Sequence, residues 1–168
     1  MNVDFTSPAN SGVFHHLKAN ASSPSAVSVA RSKESCAPES VDDPYYNLGT
    51  HPDLVSWLWD ELTTKLPEVC KWVVYGAPVL VNPKSGIIFG FAGGTHTYAL
   101  RLPPAERGAA IKAGCKRVWK YPAFPELQIK PSELKLDDFG EEWMFGQFQA
   151  CEKDWCLAAY EFSKHQSN

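Results

Sequence analysis

Between Lys71 and Leu102 the chain reads KWVVYGAPVLVNPKSGIIFGFAGGTHTYALRL, three short apolar runs separated by two groups of turn-forming residues. No other stretch constrains the fold as strongly. The first run, Trp72 to Val81, ends in Asn82-Pro83-Lys84-Ser85-Gly86, where proline and glycine stand in positions suited to a turn. The second, Ile87 to Ala92, ends in Gly93-Gly94-Thr95-His96, and the third runs from Thr97 to Leu102. The expected arrangement is an antiparallel meander. The third run alternates Tyr98, Leu100 and Leu102 with Thr97, Ala99 and Arg101, as a half-solvated strand does. The first run is apolar on both faces but is interrupted at Gly76-Ala77-Pro78. Proline cannot donate to a ladder, so a bulge or an edge is expected there.

Helical patterns flank this core. Leu54, Val55, Leu58, Leu62 and Leu66 recur at helical spacing behind Thr50 as N-cap and Pro52 in the first turn, and Pro67 stops the run. Trp57 and Trp59 stand on either side of that stripe, at its packing edges. Pro103-Pro104-Ala105-Glu106 opens a short helix whose face is Ala109, Ala110, Ile111 and Ala113, with Gly114 as C-cap. Val118, Trp119 and Tyr121 form a fourth strand candidate and Trp143 to Phe148 a last one. Between them, Leu127 to Lys130 reads as extended and Leu134 to Glu142 as a turn-rich connection. A closing helix runs from about Glu152 to Lys164, with acids at its start and bases at its end, and buries Trp155, Cys156, Ala159, Tyr160 and Phe162. The fold class is α+β: an antiparallel meander sheet with helices packed mainly on one face.

Residues 1–47 differ in composition. Ser, Ala, Asn and Pro dominate, and no periodicity is sustained, so a disordered tail is expected, with a single domain over 48–168. His15-His16 then reads as a solvated pair, and Asn20-Ala21-Ser22 as an acceptor pattern without use inside a cell. The formal charge of −3 and dispersed basic residues argue against a nucleic-acid partner. No apolar run reaches the about 20 residues that a membrane span requires, and no secretory leader pattern opens the chain. The five cysteines, Cys36, Cys70, Cys115, Cys151 and Cys156, are odd in number and suit a reducing, cytoplasmic setting. Cys151 and Cys156 do not share a helix face as Cys-x-x-Cys would, and read as one cap-region and one core cysteine.

The spacing Lys71-Trp72-x-x-Tyr75-Gly76-x-Pro78, then Phe89-Gly90-Phe91-Ala92, then His96-x-x-x-Leu100 resembles the YdhG-like domains. More distantly it is similar to the YjbR and TfoX N-terminal domains. The resemblance covers about a third of the chain. It implies a small α+β protein with a Gly-x-Pro strand and a Gly-Phe-Ala strand followed by a histidine. That family places a basic residue two positions before the histidine, where this chain has Gly94. Some of its members are similar to frataxin and are implicated in iron delivery.

Three readings of function follow. The first is a non-catalytic binding module for a small molecule or protein, without a cofactor, using Tyr75, Gly76, Pro78, Gly90, His96 and Arg101. The small residues would leave room on one face, and Arg101 in a cross-strand ion pair is the structural alternative. The second is a frataxin-like iron chaperone using Asp137, Asp138, Glu141 and Glu142, with Glu68 nearby, since hard oxygen ligands suit such ions. The third is an enzyme with His96 as general base and Cys70 or Tyr75 as its partner. Gly93-Gly94-Thr95-His96 lacks the Lys-Ser/Thr of a phosphate loop and leads into a strand, so a hairpin turn is expected there.

Overall fold

The computed structural model describes residues 3–19, 36–38, 52–66, 70–74, 77–93, 97–115, 118–121, 132–135, 142–147, 150–151 and 153–164. In chain order the elements are α1 (Pro8–Ala19), β1 (Cys36–Pro38), α2 (Pro52–Ser56), β2 (Cys70–Val74), β3 (Ala77–Val81), β4 (Ile88–Gly93), β5 (Thr97–Arg101), α3 (Pro104–Lys112), β6 (Val118–Tyr121), β7 (Ser132–Lys135), β8 (Trp143–Gln147) and α4 (Lys153–Ser163). The class is α+β. Six strands form one antiparallel sheet in the order β1-β2-β3-β4-β5-β8, and β6 and β7 form a separate antiparallel pair.

The run from Trp72 to Val81 is not one strand bent by a bulge. It divides into β2 and β3, which pair with each other, Val74 opposite Ala77 and Cys70 opposite Val81. The Gly76-Ala77-Pro78 interruption therefore marks a reversal of the chain. The irregularity lies one strand further on. Gly90 pairs with Leu80 but Ile88 with Val81, so Phe89 is an extra residue in β4. The turn between β3 and β4 follows expectation. Asn82 Oδ1 accepts from the Lys84 N–H at 2.9 Å, the Gly86 N–H returns to Asn82 O at 2.9 Å, and Gly86 has the positive φ of 71° that glycine tolerates.

Directly paired residues share a face of the sheet and alternate residues take opposite faces. One row across four strands is Leu80, Gly90, Leu100 and Met144; the row behind it is Val79, Phe91, Ala99 and Phe145. Trp57 meets Tyr98 edge-on at 5.1 Å on the first face, and the ring of His16 on α1 lies 5.7 Å from Phe91 on the second. Helical elements thus meet both faces of the sheet. The reason is α1, which the composition of the N-terminal segment conceals.

The expected disorder of residues 1–47 does not hold for 3–19 or 36–38. Ser7 precedes Pro8 at the first helical position, and its Oγ accepts from the Ala9 N–H at 3.3 Å. Val13 and Leu17, one turn apart, are buried together with Val3. Other parts of that segment, including Asn20-Ala21-Ser22, lie outside the described residues.

The helix expected from Thr50 to Leu66 holds in position but not in form. α2 passes directly into a π-turn, Trp57–Glu61, closed by the Leu62 N–H on Trp57 O at 3.0 Å. The wider turn lets Trp57, Leu58 and Trp59 all turn inward, so both tryptophans are buried in the core rather than at its edge. The Trp59 indole donates to Val79 O at 3.1 Å. Helix α3 ends as expected at Gly114 (φ 105°), with the 6→1 bond from Cys115 to Ala110 and the 5→2 bond from Gly114 to Ile111. Of its expected apolar face only Ala110 is buried, while Ile111 is half exposed. In α4, Trp155, Cys156, Ala159 and Tyr160 are buried as expected and Phe162 partly so. The expected connection at Leu134–Glu142 begins inside β7, and Leu127–Lys130 lies outside the described residues.

Gly146 in β8 is fixed by packing. A Cβ there would fall 2.4 Å from the Tyr98 hydroxyl and 2.6 Å from the ring carbon that bears it. The phenol crosses the glycine to donate to Ala150 O at 2.9 Å. Gly146→Ala is expected to cost about 1–3 kcal/mol through overpacking, read as a lower urea midpoint. Tyr98→Leu in the same chain should return part of that loss. A Gly146→Ala variant with an unchanged midpoint would refute this packing.

Candidate functional site

Of the six residues proposed for a ligand site, Pro78, Gly90 and Arg101 are described; Tyr75, Gly76 and His96 lie outside the described residues. The three described ones do not come together. Pro78 and Gly90 belong to the first face. A Cβ on Gly90 would meet Leu100 Cδ2 at 3.1 Å and Leu80 Cδ1 at 3.2 Å. The space left by the missing side chain is therefore filled by the two leucines in its own row, and no cleft opens there. Pro78 is buried as well.

Arg101 is on the opposite face and is completely buried. Its Nε donates to Ile88 O at 3.1 Å, Nη1 to Glu142 Oε1 at 3.4 Å and Nη2 to Ala9 O. The guanidinium carbon stands 4.8 Å from the centre of the Trp143 ring. Desolvation draws its pKa down to about 10 and Glu142 opposes the shift, so the group is charged at neutral pH. The geometry explains why a charge is kept here. The extra residue Phe89 takes Ile88 out of step with β5, whose register with β4 begins at Gly90. The stranded carbonyl of Ile88 is then satisfied by Arg101, and the Ile88 N–H by Asn10 Oδ1 at 2.9 Å. Arg101 is the cross-strand ion pair of the structural reading, extended to a third element through Ala9.

Asn10 completes this centre. It is wholly buried, and its Nδ2 donates to Asp4 O at 2.8 Å and Gly86 O at 3.0 Å, while the Asp4 N–H also reaches Gly86 O at 2.9 Å. From the other side of the same turn, Asn82 Nδ2 donates to Ser163 Oγ at 3.0 Å and Tyr160 O at 3.3 Å. Both helices that flank the β3–β4 turn are thus fastened to it by buried asparagines. Asn10 was legible in principle, because Ser7-Pro8 is a helix start and Val13 and Leu17 are one turn apart.

The acidic candidates divide similarly. Glu142 is engaged by Arg101 and is removed as a free ligand; Asp137, Asp138, Glu141 and Glu68 lie outside the described residues. Among the described residues no three His, Cys, Asp or Glu side chains are grouped to hold a metal ion, and no helix is long and apolar enough to cross a membrane. Of the expected histidine pair, His15 is exposed but His16 is mostly buried on α1, correcting the solvated reading. Cys151 is half-buried and Cys156 fully buried, in keeping with one cap-region and one core thiol.

No family model, curated protein or solved structure matches the chain.

Proposed function

We propose that the chain is a non-catalytic binding module that takes a small ligand or a protein partner at one end of its main sheet. Topology is the observation that supports this reading. In the antiparallel order, Val74 and Ala77 of the β2–β3 pair and Gly93 and Thr97 of the β4–β5 pair lie at the same end. The short connections 75–76 and 94–96, which carry Tyr75, Gly76 and His96, begin and end there. Arg101 belongs to the other end of β5, about 13 Å away along the strand at the usual rise, and is left out of the site.

The test is a screen of small aromatic and polar fragments against the isotope-labelled chain, followed by amide chemical-shift changes. Binders are expected to move the amides of Val74, Ala77, Gly93 and Thr97. Those shifts should be lost in a Tyr75→Ala/His96→Ala double variant and kept in Lys84→Ala, at the far end of the sheet. A screen without binders, or with shifts confined to other regions, would refute the proposal.

A further inference from the structure

The β6–β7 ribbon is a sheet of only two strands, and among the described residues neither strand pairs with any other. A lone two-stranded ribbon is marginal in water and needs a further strand or a covering element. Its register sets Val118 opposite Lys135, Trp119 opposite Leu134, Lys120 opposite Glu133 and Tyr121 opposite Ser132. Paired positions share a face, so Trp119 and Leu134 belong to one face and Val118, Lys120, Glu133 and Lys135 to the other. Along β7 the order is therefore acid, apolar, base: Glu133, Leu134, Lys135. Such a strand is complementary to itself in the antiparallel sense. Turned about Leu134, it sets its acid against its own base.

We propose that the outer edge of β7 pairs antiparallel with β7 of a second copy, about a twofold axis at Leu134, to give a continuous four-stranded sheet β6-β7-β7-β6. In that register Glu133 of each copy stands opposite Lys135 of the other, and Leu134 opposite Leu134. One face then carries an unbroken apolar row of Trp119, Leu134, Leu134 and Trp119. On the other face the charges alternate, since each Glu133 position lies between Lys120 of its own ribbon and Lys135 of the second copy. Neighbouring registers lose this match. An axis at Glu133 opposes two carboxylates, and one midway between Glu133 and Leu134 sets an acid against an apolar residue. The β6 edge offers no equivalent: turned about Lys120, between Trp119 and Tyr121, it opposes two lysines, a common guard on exposed edges. Charge complementarity selects the β7 edge, its register and a second copy as the occupant. A ladder of a few residues belongs with the small interfaces, so the dimer is reversible and depends on concentration.

Sedimentation velocity of the full chain is the test. The parent should pass from monomer to dimer between low micromolar and near-millimolar concentration, and added salt should favour the monomer. Lys135→Glu stands opposite Val118 within its own ribbon, so it spares that pairing while opposing two acids across the axis. Its self-association should weaken about tenfold or more. Glu133→Lys opposes two lysines there and should act alike. An equal mixture of the two variants should dimerise again, because each acid then meets a base on the other chain. In a mixture of isotope-labelled and unlabelled parent, which needs no variant, contacts between chains should arise at Glu133, Leu134 and Lys135. A parent that stays monomeric, interchain contacts confined to other residues, a Lys135→Glu chain that associates like the parent, or a variant mixture that stays monomeric would each overturn the proposal.

Discussion

Arg101→Met should destabilise the chain by about 3–5 kcal/mol, measured as a fall in the urea midpoint with little change in slope. Methionine retains most of the apolar stem but abandons three acceptors. Ile88 O loses its donor, Ala9 O loses its link to the sheet, and the Glu142 carboxylate, three-quarters buried, loses its counter-charge. Arg101→Lys should recover only part of the loss, because one ammonium cannot reach acceptors on α1, β4 and the approach to β8 together. Glu142→Gln in the Arg101→Met background should relieve part of the penalty, and the resulting cycle isolates the ion pair from the two carbonyl contacts. Amides of α1 should exchange faster in Arg101→Met before the sheet opens, since Ala9 is their link to the arginine. A ligand-binding arginine would behave otherwise: its loss would spare stability, so a midpoint within about 1 kcal/mol of the parent would return Arg101 to the candidate site.

That contrast also shows where a linear reading succeeds and where it stops. Alternation and turn residues locate β4, β5, β8 and the Asn82–Gly86 turn because each depends on neighbours in the chain. Glycine is harder to interpret. Gly90 reads as a vacant position, yet it is closed by Leu80 and Leu100, and Gly146 is closed in the same way by Tyr98. Whether a missing side chain leaves a pocket depends on its cross-strand partners, and these follow from a register that the sequence does not display. The Phe89 bulge is the sharper case. One extra residue in β4 takes Ile88 out of register with β5, and this is why a buried arginine and a buried asparagine converge from positions 101 and 10. Nothing in the alternation of Ile87 to Ala92 signals that shift.

The N-terminal helix was obscured for a different reason. Averaged over residues 1–47, the composition is polar and low in periodicity, and this masks a twelve-residue helix with a proper start and two buried positions a turn apart. Its stability comes from docking rather than propensity, as for most short helices. Asn10 and Ala9 bond to the sheet and its turn, and Val13 and Leu17 enter the common core.

His16 makes that docking sensitive to acid. Burial first, and the charge of His15 second, hold its pKa down to about 4 against the ordinary 6.5. Above pH 6.5 the imidazole is neutral whether the chain is folded or not, and it contributes no pH dependence. As pH falls from 6.5 toward 4, the unfolded chain takes up a proton that the folded chain does not, so stability declines across that window. Below 4 both states are protonated and the loss levels off, near 3 kcal/mol, roughly what the gap between the two values is worth. His16→Phe retains a ring against Phe91 and removes the titration. Carboxylates titrate in parent and variant alike, so the difference between their stability curves isolates His16. Urea unfolding from pH 7 to 4 should show the parent losing about 3 kcal/mol more than the variant, with α1 amides the first to lose exchange protection. Parallel curves would mean that the imidazole is solvated and that α1 does not hold it against the sheet.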